Sequence, residues 1–163
     1  PAPSRFGLLP PGLPWTGCVR ACVLSAFVFG FGATASAQHS KLTASDPGYD
    51  DSFGRALAVS GDTLVATSRF DEHGGIGWAG SAYVLVRSGG AWVEQAKLTA
   101  SDAAFQDLFG HSAAIDGDTL VVGARDDDHS GVIDAGSAYV FVRTAGVWIE
   151  QAKLTASDAA DLD

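Results

Sequence analysis

Lys-Leu-Thr-Ala-Ser-Asp, at residues 41–46, begins a segment that ends at Ala96, and the same six residues begin a second segment at Lys97. The second segment ends at Ala152, so both are 56 residues long and follow one another without a gap. Aligned over their full length, they are identical at 32 of the 56 positions. A repeat of this kind is typical of architectures in which each copy forms one supersecondary unit and covers the apolar face of its neighbour.

Turn-forming residues divide each copy into four short extended segments. In the second copy these are Ser112–Ile115, Thr119–Ala124, Ser137–Arg143 and Val147–Leu154. The first two are separated by a hairpin signal at residues 116–118, and Thr119–Ala124 is nearly continuously apolar, as expected for a strand that is buried on both faces. The remaining segments are rich in β-branched and aromatic residues, which favour strands.

The sequence therefore predicts an all-β fold in which each copy forms one four-stranded antiparallel blade of a β-propeller. An open array of such sheets is the alternative. The blades are expected at residues 41–96 and 97–152, and residues 153–163 begin a third copy. Because two blades do not close a ring, we expect further blades of the same chain and exposed sheet faces on these two.

The first 37 residues have a different composition from the repeats. They contain both cysteines, five of the six prolines and no acidic residue. Arg20 precedes an apolar run at residues 21–32, and Ala35-Ser36-Ala37 has the small-x-small pattern of a cleavage site. The apolar run is too short to span a bilayer comfortably. We therefore predict that residues 1–37 are a cleaved signal peptide, with no membrane span after cleavage, and that the protein is secreted or lies at the cell surface.

Charge restricts the classes of partner. Residues 38–163 contain eight Lys and Arg against nineteen Asp and Glu, so their net charge is −11, and they contain no cysteine. The lack of cysteine excludes a disulfide framework and thiolate metal sites from this part of the chain. The negative charge argues against nucleic acid and anionic lipid as partners, and makes cations the natural counter-charge.

Three motifs of the second copy resemble a known family. Phe109-Gly110, Leu120–Arg125 and Gly136–Phe141 are similar to the FG-GAP repeat of integrin α-subunit propellers and of many bacterial secreted proteins. One departure is that Arg69 and Arg125 stand where the family usually has the proline of its GAP triplet. The resemblance implies a propeller of about seven blades that serves adhesion or ligand binding at the cell exterior.

An acidic loop in the second copy is the best candidate for a metal site. Asp126, Asp128, Ser130 and Asp134 supply oxygen atoms at positions one, three, five and nine, and Gly131 at position six permits a sharp turn. Calcium prefers six to eight hard oxygen ligands in such loops, so these four residues are predicted calcium ligands. The alternative is a solvated acidic loop. The first copy has lost the pattern, because Phe70 and Trp78 replace Asp126 and Asp134.

Other side chains that could carry chemistry have simpler structural interpretations. Gly110-His111-Ser112 resembles part of a hydrolase nucleophile elbow, but it precedes a predicted strand where an elbow needs a helix. His73 and His129 have no second histidine or cysteine at zinc-ligand spacing. The recurring Trp92 and Trp148, and the tyrosines of the third strands, indicate packing between blades more than a sugar-stacking platform.

The sequence thus predicts a non-enzymatic module for binding, adhesion or scaffolding, with an extracellular protein or polysaccharide as its partner. Loops at the ends of the strands are the expected recognition elements. Two alternatives stay open: a non-catalytic propeller attached to a larger extracellular hydrolase, and a purely structural exterior layer.

Overall fold

The computed structural model describes residues 41–159. These residues belong to a compact unit that spans Ser40–Asp163. The predicted signal peptide, residues 1–37, lies outside the described residues, as do the last four residues of the third copy.

The described residues form two four-stranded antiparallel sheets and contain no helix. The strands of the first sheet are β1 (Leu57–Ser60), β2 (Thr63–Ser68), β3 (Ser81–Ser88) and β4 (Ala91–Leu98). Those of the second sheet are β5 (Phe109–Asp116), β6 (Thr119–Ala124), β7 (Ser137–Thr144) and β8 (Val147–Thr155). In each sheet the spatial order follows the chain order. The predicted all-β fold with four antiparallel strands per copy is confirmed.

The sheets are offset from the sequence repeat. Strand β4 runs to Leu98, so Lys97 and Leu98, which begin the second copy of the sequence, belong to the first sheet. The next residues, Thr99 to Asp102, then run toward the second sheet, where the Ser101 hydroxyl donates a hydrogen bond to Glu150 at 2.7 Å. Ser45 makes the same 2.7 Å bond to Glu94 of β4. The second repeat therefore begins on the first sheet, and the opening motif of each repeat is hydrogen-bonded to the last strand of the sheet that this repeat forms.

The main core lies between the two sheets. Buried side chains of the first sheet, including Val65 and Val84, belong to one cluster with residues of the second sheet. The second sheet contributes Phe109, Leu120, Val122, Tyr139, Phe141 and Trp148. The strands β1 and β5 lie next to one another, as expected for blades that meet at their first strands. The aromatic residues of β7 and β8 are thus packing residues, as predicted.

The junction between the sheets also has backbone contacts. The amides of Gln106, Leu108 and Phe109 donate hydrogen bonds of 3.0 to 3.3 Å to the carbonyls of residues 77–79. The next residue, Gly80, has a φ of +84°, and a Cβ at this position would lie 2.0 Å from the Phe109 carbonyl oxygen. Only glycine permits both this conformation and this close approach.

The two sheets differ in how far they are buried. In β2, every residue except Leu64 is buried. The second sheet covers the face with Val65, and the segment before β1 covers the face with Ala66. In β6, Val121 and Gly123 are only half-buried, so the prediction of a strand buried on both faces is wrong for Thr119–Ala124. The reason is that no described residues pack on the outer face of the second sheet. The expected exposure of sheet faces is confirmed, since Val147 and Ile149 are 60% and 56% exposed.

Candidate functional site

A polar cluster is buried beside the first sheet. Lys97 Nζ lies 2.7 Å from Asp46 Oδ2 and 2.9 Å from Asp71 Oδ2. The Tyr83 hydroxyl oxygen lies 2.9 Å from Asp46 Oδ1 and 3.3 Å from Asp71 Oδ1, and the Ser81 hydroxyl donates to Asp71. Asp71 is 2% exposed. This carboxylate is therefore satisfied by the cluster itself and fixes the start of the β2–β3 loop.

The second sheet repeats this cluster. Lys153 Nζ lies 2.7 Å from Asp102 Oδ2 and 2.8 Å from Asp127 Oδ2. The Tyr139 hydroxyl oxygen lies 2.7 Å from Asp102 Oδ1 and 2.9 Å from Asp127 Oδ1. Its presence in both blades, with every carboxylate engaged by the same partners, indicates a structural role.

The clusters shift the pKa values of their members. Burial lowers the pKa of Lys97, but its hydrogen bonds to Asp46 and Asp71 outweigh burial and hold the pKa above its ordinary 10.5. Burial raises the pKa of Tyr83 above its ordinary 10.0, and burial does the same for Tyr139. The hydrogen bond from Lys97 lowers the pKa of Asp46. The folded state thus favours charged lysine beside neutral tyrosine.

This arrangement predicts loss of stability at alkaline pH. A group whose pKa is raised on folding contributes stability that is present below its unfolded pKa and is lost as the pH rises through the folded value. Since the pKa values of Tyr83 and Lys97 are raised from 10.0 and 10.5, the free energy of unfolding should fall above about pH 10. Urea denaturation at several pH values, followed by circular dichroism, measures this fall. The Tyr83→Phe variant should show a shallower fall, and an identical profile would contradict the assignment.

The predicted calcium ligands lie in the loop between β6 and β7, residues 125–136. Arg125 Nε lies 3.2 Å from Asp126 Oδ1, and the Asp134 amide donates a 2.8 Å hydrogen bond to Asp128 Oδ1. Ser130 and Asp134 have positive φ angles. Within residues 41–159, no three His, Cys, Asp or Glu side chains are grouped as a metal site. The loop therefore brings these residues near one another without converging their carboxylates.

The other candidate residues occupy ordinary strand and loop positions. Ser112 lies within β5 and faces Gly123 of β6 in the sheet register, and no helix follows it among the described residues. His73 and His129 each form a small bridge within their loops, to Ile76 and Val132. The geometry of a nucleophile elbow is not found at Ser112.

A pocket of about 440 Å³ lies where the β2–β3 loop, residues 69–80, meets the segment before β1. We call it the rim pocket. The aromatic side chains in its wall are Tyr49, Phe70 and Trp78. Four carboxylates also line it, those of Asp46, Asp51, Asp71 and Glu72, and its lining contains no lysine or arginine. An acidic pocket with aromatic walls is thus present on the first blade.

The aromatic residues of the rim pocket belong to a longer row. The Trp78 ring is tilted against Phe70 at a centroid distance of 5.9 Å, and it stacks on Phe105 at 5.9 Å with an interplanar angle of 17°. Arg69 lies over the Phe70 ring, with Cζ 4.4 Å from the centroid. Exposure is high, at 47% for Trp78, 65% for Phe105 and 101% for Tyr49. Exposed aromatic groups of this extent are typical of binding surfaces.

Sequence reasoning missed the rim pocket. Phe70 and Trp78 stood out only as residues that replaced the acids of the second copy, and so as evidence that a calcium loop had been lost. The signal that could have found the pocket is that same substitution, because two aromatic residues in a polar loop have no role in strand packing. The contribution of Tyr49 and Phe105 depends on how the loops meet in space.

The sequence profile of the FG-GAP repeat family matches residues 37–85 and 92–141, which include the first two strands of each sheet and the β2–β3 and β6–β7 loops. The chain belongs to the FG-GAP repeat family. No curated protein matches it. The family assignment agrees with the geometry, since each FG-GAP match covers the first two strands and part of the third strand of one sheet, together with the segment that leads into it.

FG-GAP repeats are typical of extracellular and cell-surface proteins with β-propeller-like, adhesion-type modules. No helix capable of crossing a membrane occurs in the part of the chain that the structure describes. In this FG-GAP chain the phenylalanine of the motif packs against the tyrosine of the third strand in each blade. Phe109 is fully buried and meets Tyr139 edge-on at 5.4 Å. Phe53 meets Tyr83 in the same way at 5.5 Å.

Proposed function

We propose that this FG-GAP chain is part of a secreted or cell-surface β-propeller that binds an extracellular protein or polysaccharide through its β2–β3 loops, without catalysing a reaction. The observation that carries the proposal is the contrast between the two copies. Both copies form the same four-stranded sheet, but the first copy has Phe70 and Trp78 where the second has Asp126 and Asp134. Such divergence on a common scaffold is typical of recognition loops.

The buried titratable groups support binding over acid–base catalysis. Catalysis of that type needs two groups whose environments differ. Here the carboxylates of Asp71 and Asp127 sit in matching clusters and are engaged by lysine, tyrosine and serine side chains. These groups position the loops, and two residues of the exposed aromatic row, Phe70 and Trp78, lie on the β2–β3 loop of the first blade.

A solid-phase binding assay tests the proposal. The full chain is applied to immobilised collagen, fibronectin and laminin, and to neutral and acidic polysaccharides. We expect saturable binding to at least one of them and little binding to the acidic polysaccharides, because the chain has a net charge of −9. A folded chain that binds none of these ligands would contradict the proposal.

Calcium binding by the β6–β7 loop is a further part of the proposal. Asp126 would have to leave Arg125, and Asp128 would have to release the Asp134 amide. We therefore expect a weak site with a dissociation constant of about 1 mM, as in other extracellular calcium modules. Isothermal titration of the full chain with calcium chloride measures it, and Asp126→Asn should remove the heat. The absence of a binding heat at about 10 mM calcium would exclude the site.

A further inference from the structure

We propose that the rim pocket binds a lysine or arginine side chain in a basic segment of a partner protein. This inference rests on the proposed binding function and names the site and the chemistry of the ligand. It follows from the aromatic wall, the charge of the lining and the size of the pocket.

The charge of the rim pocket is strongly negative. Of its four carboxylates, Asp46 and Asp71 share the charge of Lys97, which lies behind them. Among the described residues, the Asp51 carboxylate accepts a hydrogen bond only from the Gly48 amide, a neutral donor. Glu72 is exposed and has no ion-pair partner among residues 41–159. With Lys97 and with Arg69, which lies over the Phe70 ring of the pocket wall, the four carboxylates leave a formal charge of −2, which favours a cationic ligand.

The aromatic wall suits the same ligand. A lysine or arginine cation is attracted to the face of an aromatic ring, most strongly to that of tryptophan. Cation–π contacts of this kind recur within the described chain, where Arg69 lies over the Phe70 ring and Lys97 lies over the Tyr83 ring. Trp78 is the tryptophan of the rim pocket and has no cation of the described chain over its ring. The pocket volume of about 440 Å³ is within the usual range for a bound side chain or small ligand.

The backbone at Trp78 adds a further argument. Its φ is +55° and that of Asp134, its counterpart, is +52°. Aspartate tolerates this left-handed conformation, whereas for a bulky side chain it costs about 1 kcal/mol or more. Stacking on Phe105 offsets part of that cost, but about half of the Trp78 side chain stays exposed. A binding role explains an exposed tryptophan at a position where local backbone energy favours aspartate.

The second blade provides a control for non-specific attraction between an acidic protein and a basic peptide. Its loop has Asp128 at the position of Glu72 and lacks the aromatic residues. Glu72→Gln and Asp128→Asn remove the same charge from corresponding positions. Trp78→Asn removes the ring without changing the charge, and asparagine is compatible with the left-handed backbone.

The test is fluorescence anisotropy of labelled octalysine titrated with the full chain in calcium-free buffer. We expect Trp78→Asn to weaken binding about tenfold and Glu72→Gln about fivefold, while Asp128→Asn changes it less than about twofold. Binding should also weaken as salt rises from about 50 to 150 mM. Circular dichroism and the thermal unfolding midpoint establish that each variant is folded.

Two outcomes would overturn the inference. One is octalysine binding that Trp78→Asn leaves unchanged, or that Glu72→Gln and Asp128→Asn weaken equally, since both indicate attraction to the whole acidic surface. The other is binding of a neutral oligosaccharide, cellohexaose, that depends on Trp78 when octalysine binding does not. If either outcome is found but the chain binds one of the immobilised ligands in the solid-phase assay, the proposed binding function stands and only the ligand assigned to the rim pocket is wrong. A chain that binds octalysine through Trp78 but none of the immobilised ligands would support the pocket and contradict the broader proposal.

Discussion

Replacing Phe109 with alanine is expected to lower the free energy of unfolding by about 4 kcal/mol, as for other fully buried aromatic residues. Phe109 has no exposed surface and meets Tyr139 and Phe141 edge-on at 5.4 and 6.0 Å. It lies in the same cluster as Val65 and Val84 of the first sheet. The substitution therefore removes packing within the second blade and between the two blades. Urea denaturation followed by circular dichroism measures the loss.

The matched control is Phe53→Ala at the equivalent position of the first blade. Phe53 is only half-buried and belongs to the smaller cluster around Tyr83 and Leu85. No described sheet packs beyond that cluster, so the cost should be about 1 to 2 kcal/mol. Equal losses for the two variants would show that contact between the blades contributes little to stability.

Replacing Lys97 with methionine is expected to cost about 3 kcal/mol, because it leaves the carboxylates of Asp46 and Asp71 without their counter-charge. Asp71 cannot regain hydration, since its side chain is only 3% exposed. Methionine keeps most of the apolar stem that packs beside Tyr83, where Lys97 Nζ is 5.3 Å from the ring centroid. The expected loss is thus electrostatic and is measured by urea denaturation at pH 7.

Two further variants test whether the loss in Lys97→Met comes from the unpaired carboxylates and not from the loss of a lysine as such. Lys41 is the counterpart of Lys97 at the start of the first copy, and it is exposed and has no ion pair within the described residues, so Lys41→Met should change stability by less than about 0.5 kcal/mol. Adding Asp71→Asn to Lys97→Met removes the unpaired charge and should restore at least half of the loss. A double variant that is no more stable than the single one would contradict this account.

Much of the fold was predictable because its signals are local. Strand and turn signals are properties of neighbouring residues, and the predicted bounds of β6 match the structure at Thr119 and Ala124. Because the two copies align without a gap, the strands predicted in the second copy could be assigned to the corresponding residues of the first copy. The burial of β6 was predicted wrongly, because a continuous apolar strand is buried on both faces only where another part of the protein covers each face. The sequence pattern shows which strands can be covered but not which neighbours are present.

The candidate sites were less predictable than the strands. Ligand spacing in the loop after β6 suggested a calcium site, yet the side chains of Asp126 and Asp128 are turned to Arg125 and to the Asp134 amide. Spacing along a loop fixes how far apart residues can lie, whereas the direction of each side chain depends on turn geometry and local hydrogen bonds. Calcium binding therefore stays a prediction that rests on the sequence pattern.

The sequence by itself determined that this chain consists of repeated four-stranded antiparallel sheets of the FG-GAP family. The reason is that the apolar strand segments, the turn residues and the 56-residue period are all properties of neighbouring or regularly spaced residues. Only the tertiary structure decided that Tyr49, Phe70, Trp78 and Phe105 lie at one rim beside unpaired acidic groups. These residues come from three segments up to 56 positions apart. Their meeting depends on how the sheets twist and pack against one another, and no local pattern encodes that arrangement.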